Sequence, residues 1–148
     1  MDDDVKAMLD ERALTRLAFD YATAVDRLDE PLLRRVFTVD AVLEGPGWRF
    51  EGMEQICSIP LMMQEMFVSS WHATHQVTIN LGGDQATGEV YCAGRHLQKG
   101  GYAENQVVTM IIRYQDRYSR TPDGWRIAWR KEIIDWTEVS TVQGGRRE

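Results

Sequence analysis

Residues that perform acid–base chemistry occur where they could share a pocket. Asp26 lies at the edge of the apolar stripe of the first predicted helix, and Tyr21 lies within that stripe. His72 and His75 open a predicted strand in the segment SSWHATHQVTINL, residues 69–81. An aspartate that orients a histidine makes it a general base, and a buried tyrosine hydroxyl needs a hydrogen-bond partner. An edge aspartate and a core tyrosine are, however, also common structural residues.

The spacing of the two histidines separates them. Residues three apart on a regular strand point to opposite faces, so His72 and His75 are not expected to chelate one metal ion. Strand parity groups His72 with polar residues and His75 with apolar ones. The polar group contains Thr74, Gln76 and Thr78, and the apolar group Val77, Ile79 and Leu81. We therefore predict that His72 lines a cavity and that His75 packs or contacts another subunit, although a bulge would reverse this assignment.

No motif for covalent or nucleotide chemistry is present. The chain has no G-x-S-x-G, P-loop or G-x-G-x-x-G pattern, and Cys57 and Cys92 have no metal-ligand spacing. The glycine-rich stretch GGDQATGE lies between two predicted strands and is typical of a hairpin turn. We therefore expect no cofactor and no metal ion, and any reaction would be acid–base chemistry in an apolar pocket.

The first half of the chain is predicted to be helical, with one hairpin. Apolar residues recur at three- and four-residue steps from about Glu11 to Leu28, which predicts an amphipathic helix. LDEPLLRRVF predicts a second short helix with Asp29 as its N-cap. AVLEGPGWRFEG predicts a hairpin with a Gly-Pro-Gly turn. Residues 53–67 are predicted to be helical, with a break or kink at Pro60.

The second half is predicted to be β-sheet. Four runs typical of strands follow one another, at residues 71–81, 86–98, 106–119 and 125–142. Helices followed by a strand meander predict an α+β domain. In the last run, one face carries Trp125, Ile127, Trp129 and Ile133, and the other Ala128, Ile134 and Trp136. Since both faces carry large apolar groups, one is expected to pack on the helices and the other on a second subunit.

Composition predicts a single soluble domain over residues 1–148. The chain has 43% hydrophobic and 27% charged residues and a net charge of −6, which are ordinary values for a globular protein. The acidic N-terminal extension, residues 1–10, argues against nucleic acid as a partner. No apolar run reaches the roughly 18 residues of a membrane span, and no secretory leader is recognisable. We expect a cytoplasmic protein with no membrane partner and a flexible tail at residues 143–148.

The order of these elements and three motifs resemble a known family. YATAVD on the first helix, WHATHQVTI opening a strand and DGWRIAWRKEIIDW near the end are similar to the SnoaL-like, or polyketide-cyclase-like, branch of the nuclear-transport-factor-2-like superfamily. The resemblance covers nearly the whole chain, and the closing G-W-R-I-x-x-R pattern followed by D-W is its most specific part. It implies a cone-shaped barrel of the cystatin-like type, with N-terminal helices packed in a curved, largely antiparallel β-sheet around an apolar pocket.

The resemblance also implies a chemistry. Scytalone dehydratase, bile acid 7α-dehydratase and hexachlorocyclohexane dehydrochlorinase belong to this branch and catalyse cofactor-free eliminations with an Asp–His pair. Carried over to this chain, the pair would be Asp26 and His72, with Tyr21 as a hydrogen-bond donor and Arg130 as the pocket arginine of the last strand. Arg130 would offset the charge of Asp26 or bind an acidic substrate group.

The expected function is therefore a lyase, or dehydratase, that eliminates water or a similar leaving group from a hydrophobic aromatic or polycyclic substrate. Six residues are expected to bind that substrate: Trp48, Met62, Met66, Phe67, Trp129 and Trp136. Ketosteroid isomerisation or polyketide cyclisation on the same residues is the nearest alternative. A non-catalytic small-ligand carrier, or an assembly protein similar to the β-subunit of ring-hydroxylating dioxygenases, is an alternative from another class. A homo-oligomer, either a trimer or a dimer, is expected.

Overall fold

Helices and one hairpin occupy the first half of the chain and long strands the second, as the sequence pattern predicted. The computed structural model describes residues 2–100 and 104–144. The helices are α1 (Asp3–Asp26), α2 (Glu30–Arg34), α3 (Met53–Ile56) and α4 (Ile59–Met66). The strands are β1 (Phe37–Gly45), β2 (Trp48–Glu51), β3 (Phe67–Gly82), β4 (Gln85–Gln98), β5 (Gln106–Thr121) and β6 (Gly124–Thr141). The tail predicted at residues 143–148 lies mostly outside the described residues.

Helix α1 is longer than the hydrophobic pattern indicated, because its first turn is stabilised by charge rather than by burial. It begins at Asp3, not near Glu11, and the side chain of its N-cap, Asp2, accepts a hydrogen bond from the Asp4 amide. The two aspartates of the first turn place negative charge at the positive end of the helix dipole. The acidic extension predicted at residues 1–10 is therefore largely part of the helix.

Asp29 and Pro60 both lie at the start of a short helix. Asp29 caps α2 as predicted, since its side chain accepts a hydrogen bond of 2.9 Å from the Leu32 amide. The helical segment is broken near Pro60, as predicted, but the break lies at residues 57–58, between the end of α3 at Ile56 and the start of α4 at Ile59. Pro60 lies in the first turn of α4, where a proline needs no amide hydrogen, so it helps to start the second helix.

The six strands form one curved sheet in the order β2-β1-β6-β5-β4-β3. Every neighbouring pair is antiparallel except β1 and β6, which are parallel. Helix α1 packs against β3 and β6. The predicted α+β class, with N-terminal helices on a curved and largely antiparallel sheet, is confirmed. The sheet does not close into a barrel, however, because within the described residues its edge strands β2 and β3 are not paired.

The core lies between α1 and the inner face of the sheet. Its completely or almost completely buried members come from several elements and include Leu14, Leu33, Leu43, Ile56, Ile112 and Ile127. Within the part of the chain that the structure describes, none of the helices combines the length and the apolar character that crossing a membrane would require.

A bulge in β3 changes the orientation that regular alternation predicts. The pairing with β4 shifts between Thr74 and Val77, where the longer spacing on β3 accommodates one extra residue. After the bulge, Val77 and Ile79 pack against the core, on the same side as His72. The prediction that His75 shares a face with Val77 and Ile79 is therefore wrong.

A bulge in β6 has a similar effect. Arg117 and Tyr118 are adjacent on β5. Their partners on β6, Trp129 and Ile127, are two positions apart, so β6 carries one extra residue at this point. Ile127 and then Arg130 point into the core, both with 0% exposure. Trp129 points to the outer face instead, where the Arg117 guanidinium lies 4.6 Å from the centre of its ring.

Candidate active site

Asp26, the last residue of α1, and His72, in the first half of β3, form a hydrogen-bonded pair. Oδ1 of Asp26 lies 2.7 Å from Nδ1 of His72. The same carboxylate accepts hydrogen bonds from the His72 amide at 2.7 Å and from the Ser70 hydroxyl at 2.9 Å. Only 6% of the His72 side chain and 17% of the Asp26 side chain are exposed. The fold therefore holds both groups in one orientation, away from bulk water.

The carboxyl of Asp26 is ionised despite its burial. Burial by itself would raise its pKa, but the hydrogen bonds and charge of His72, together with the Ser70 hydroxyl, hold the pKa below its usual value. These partners also offset the repulsion between the Asp26 carboxylate and the negative end of the helix dipole, which lies at the last turn of α1. An ionised Asp26 accepts the Nδ1 proton of His72, so Nε2 of the neutral ring carries the lone pair that can accept a proton.

The His72 ring forms part of the wall of a cavity of about 300 Å³. Most of the wall is apolar or aromatic, and it includes Val25, Leu43, Trp48, Phe50, Met62, Met63, Met66, Phe67, Met110 and Ile112. Five polar residues share it: Tyr21, His72, His96, Tyr114 and Glu132. An apolar cavity with a small number of polar groups is typical of a small-molecule site.

Four of the six residues predicted to bind substrate line this cavity, and Trp129 and Trp136 do not. Trp129 faces outward because of the bulge in β6. Trp136 is 55% exposed and borders an outer depression together with His75. A second register shift in β6, between Ile134 and Trp136, turns Ile134 toward the core and Trp136 away from it. Trp129 was wrongly assigned because the bulge interrupts the regular alternation of β6, whereas Trp136 faces outward, as regular alternation from Trp125 would also place it.

Arg130 does not line the cavity either. It is 0% exposed and donates hydrogen bonds of 2.7 and 2.6 Å to Asp116. Its guanidinium carbon lies 4.6 Å from the ring centre of Tyr21 and 4.4 Å from that of Tyr114. The prediction that Arg130 offsets Asp26 or binds an acidic group is wrong, because its charge is paired with Asp116 behind the two tyrosine rings.

His96 is a cavity residue that the sequence reasoning missed. Its ring centre lies 5.3 Å from that of His72, with the rings edge to face, and the residue is 5% exposed. Burial, and then the charge of His72, lower the pKa of His96 to about 4, so its ring is neutral near pH 7. The sequence did contain a signal for this residue. Val90, Cys92 and His96 are separated by even numbers of positions along β4, so regular strand geometry places all three on the same, inward face.

Glu132 was also missed, and no sequence signal could have identified it. Regular alternation from Trp125 and Ile127 would turn Glu132 outward, whereas the bulge turns it inward. It lies opposite Tyr114 in the pairing of β5 with β6. Burial raises the pKa of Glu132, although His72, Arg130 and the Tyr114 hydroxyl oppose the change.

Tyr21 and Tyr114 place two hydroxyl groups in the cavity wall. Their rings meet edge to face with centres 5.6 Å apart, and both residues are buried. Burial raises the pKa of each hydroxyl well above its usual value. Both groups therefore remain protonated and act as hydrogen-bond donors.

Neither a metal cluster nor an activated thiol is found in the described part of the chain. Within residues 2–100 and 104–144, no three His, Cys, Asp or Glu side chains converge in a way that could hold a metal ion. Cys57 and Cys92 are free and buried, and burial raises the pKa of both thiols. A thiol with a raised pKa is a poor nucleophile at neutral pH.

The fold and the site together define an α+β domain with an Asp–His pair beside an apolar cavity, whose wall includes the His72 ring. Residues 6–131 match the SnoaL-like domain, and the chain belongs to this family. The resemblance found in the sequence is thereby confirmed. An uncharacterised protein of Mycobacterium tuberculosis (strain ATCC 25618 / H37Rv) is 30% identical over 133 residues, which cover 86% of this chain and 87% of that protein.

Solved structures share the fold over almost the whole chain. Hexachlorocyclohexane dehydrochlorinase LinA-type3 from Novosphingobium barchaimii LL02 has a TM-score of 0.86 at 15% identity, covering 98% of this chain and 99% of that one. A Novosphingobium aromaticivorans DSM 12444 protein, provisionally named a scytalone dehydratase, has a TM-score of 0.81 at 18% identity, with coverages of 96% and 97%. At these identities the two likenesses show a shared fold.

Proposed function

We propose that this protein is a cofactor-free lyase in which His72, oriented by Asp26, removes a proton from a carbon atom of an apolar cyclic substrate. The observation that carries the proposal is the position of the pair. The Asp26 carboxylate binds Nδ1 of His72, and the His72 ring forms part of the cavity wall. Nε2 of the same ring therefore remains available to a ligand. A general base has to lie within hydrogen-bond reach of the proton that it takes. Hexachlorocyclohexane dehydrochlorinase LinA-type3, which has the same fold, is named for a dehydrochlorination, and a dehydrochlorination is an elimination.

The proposed reaction balances without an oxidant or reductant. With a β-hydroxyketone, the proton next to the carbonyl moves to Nε2 of His72, and the C–H electron pair forms an enolate. The enolate then forms the carbon–carbon double bond as the C–O bond breaks, and the departing hydroxide takes the proton from the imidazolium and leaves as water. Asp26 stabilises the intermediate imidazolium because its carboxylate lies 2.7 Å from Nδ1.

Neutral donors in the wall can stabilise the enolate oxygen. Tyr21 and Tyr114 keep their protons, because burial raises the pKa of both. His96 stays neutral, because burial and His72 lower its pKa. A hydrogen bond to an oxygen that gains charge in the transition state contributes roughly 3 to 4 kcal/mol.

The cavity volume restricts the substrate. About 300 Å³ is at the lower end of the range of roughly 300 to 1,000 Å³ found for ligand pockets. A compound of one ring or of two fused rings fits this volume, so the proposed substrate is of that size.

An ultraviolet assay of enone formation from one- and two-ring β-hydroxyketones tests the proposal. We expect His72→Ala and Asp26→Asn to lower kcat/KM by about 10²- to 10⁴-fold, because the base or its orientation is lost. His75→Ala is the matched control on the outer face and should retain activity. Thermal unfolding checks that each variant is folded.

β,γ-Unsaturated ketones in the same panel separate elimination from isomerisation. They have no hydroxyl group to lose as water, so enone formation from them is isomerisation, whereas enone formation from a β-hydroxyketone is elimination. Turnover that survives both His72→Ala and Asp26→Asn contradicts the proposal.

A further inference from the structure

Glu132 is the ionisable group of the cavity wall that the proposed reaction does not use. Among the described residues that line the cavity, it is the only carboxylic acid, and no lysine or arginine accompanies it. It is half-buried and lies opposite Tyr114 in the pairing of β5 with β6. His72 lies on β3, three strand positions away in the sheet. The cavity thus has two polar regions on different strands.

The charge around Glu132 makes the cavity selective. Arg130, one of the groups whose charge acts on Glu132, is engaged by two hydrogen bonds to Asp116, and its guanidinium lies against the rings of Tyr21 and Tyr114. A ligand carboxylate placed beside Glu132, when that carboxyl is ionised, would meet a like charge, and the described cavity wall holds no lysine or arginine to pair with it. A ligand hydroxyl in the same place can donate a hydrogen bond to Glu132 and accept one from Tyr114.

We infer that Glu132 determines the substrate class: together with Tyr114 it binds a hydroxyl group of an uncharged substrate and excludes carboxylates. The inference rests on the proposed function in one respect, that this cavity is the substrate site. The substrate then carries two functional groups, an acidic C–H bond that reaches His72 and a hydroxyl that reaches Glu132. A neutral phenol or alcohol on a one- or two-ring body has this chemistry.

Two ligands that differ in one group test the inference by binding alone. 2-Naphthol and 2-naphthoate share a two-ring body, and isothermal titration calorimetry at pH 8 gives their affinities. We expect the wild-type protein to bind 2-naphthol at least about tenfold more tightly, because like charges in a cavity oppose binding. Glu132→Gln keeps the size and removes the charge, so the preference should fall severalfold as 2-naphthoate binds better. Glu138→Gln is the matched control, exposed on the same strand, and should keep the wild-type preference.

A second variant at the same position controls for effects of the substitution on folding. Glu132→Leu removes both the charge and the hydrogen-bonding atoms, so 2-naphthol should bind less tightly and 2-naphthoate more tightly than in the wild type. A wild-type protein that binds both ligands equally, or neither, overturns the inference. So does an unchanged preference in Glu132→Gln. Loss of turnover in His72→Ala combined with that unchanged preference would leave the lyase proposal standing and remove the role of Glu132.

Discussion

At the residue scale, Arg130 and Asp116 support the cavity wall without belonging to it. The Asp116 carboxylate accepts two hydrogen bonds from Arg130 and a third, of 2.7 Å, from the Tyr118 hydroxyl. The side chains of the pair are 1% and 0% exposed. Because the guanidinium contacts the rings of Tyr21 and Tyr114, this buried charge pair fixes two of the polar residues of the cavity.

Breaking this pair should strongly destabilise the fold. Asp116→Asn leaves the Arg130 cation buried and unpaired, which costs about 3 to 5 kcal/mol of unfolding free energy in comparable cases. Urea unfolding measures the change. Asp135→Asn breaks the more exposed pair between Asp135 and Arg113 and should cost much less, because solvent screens exposed charges.

Removing both charges provides the complementary test. The double variant Asp116→Leu with Arg130→Met should recover most of the stability, since neither charge remains buried alone. If Asp116→Asn costs no more than Asp135→Asn, the buried pair does not stabilise the protein in the way described.

At the element scale, β4 approaches its neighbours closely because glycine occupies two of its positions. A Cβ atom added to Gly88 would lie 2.7 Å from the Thr78 carbonyl oxygen on β3 and 3.0 Å from the Tyr118 ring on β5. A Cβ atom added to Gly94 would lie 3.2 Å from both histidine rings of the cavity. The absence of a side chain at these positions therefore makes room for the strand pairing and for the two imidazoles.

Gly88→Ala should destabilise the sheet by about 1 to 3 kcal/mol, a typical cost of overpacking. The Thr78 carbonyl is backbone and cannot move without disturbing the pairing of β3 with β4. Gly82→Ala is the control, since its Cβ would be 3.4 Å from the nearest atom, the Gln85 carbonyl oxygen. Thermal unfolding compares the two variants, and equal stabilities would show that the close approach at Gly88 carries no cost.

At the scale of the whole molecule, several groups make folding sensitive to acid. Hydrogen bonds from Arg120 and Trp125 hold the pKa of Asp10 far below its usual value, and the partners of Asp26 also lower its pKa. Burial lowers the pKa of His96 to about 4, from roughly 6.5 in an unfolded chain. Each group binds protons more weakly when folded, so stability rises with pH through its titration range and is lost as pH falls.

His96 should account for the loss of stability between about pH 6.5 and 4, above the range in which the aspartates titrate. Its contribution is on the order of 2 to 3 kcal/mol between pH 7 and pH 4.5. His96→Phe removes the titrating group, so urea unfolding of this variant should depend less on pH over that interval.

Val90→Ala, a buried apolar change on the same strand, is the control for general destabilisation. It should lower the stability by a similar amount at every pH, parallel to the wild type. An undiminished pH dependence in His96→Phe would assign the acid sensitivity to other groups.

The sequence by itself determined the local elements, the family and the principal pair of the site. Apolar periodicity predicted α1, Asp29 predicted the cap of α2, and the strand runs predicted the sheet, because each signal depends on residues close together in the chain. Asp26 and His72 were recognisable from their residue types and motifs. The cytoplasmic location and the homo-oligomer stay predictions.

Only the tertiary structure decided which side chains face the cavity and which charges are paired. A bulge is one extra residue on one of two paired strands, so its position depends on the partner strand and has no signal in the chain that carries it. After the bulge in β6, alternation reverses, which turns Trp129 outward and Glu132 inward. Arg130 likewise meets Asp116 only because β5 and β6 pair in one register. Long-range pairing therefore decided the part of the site that local patterns could not.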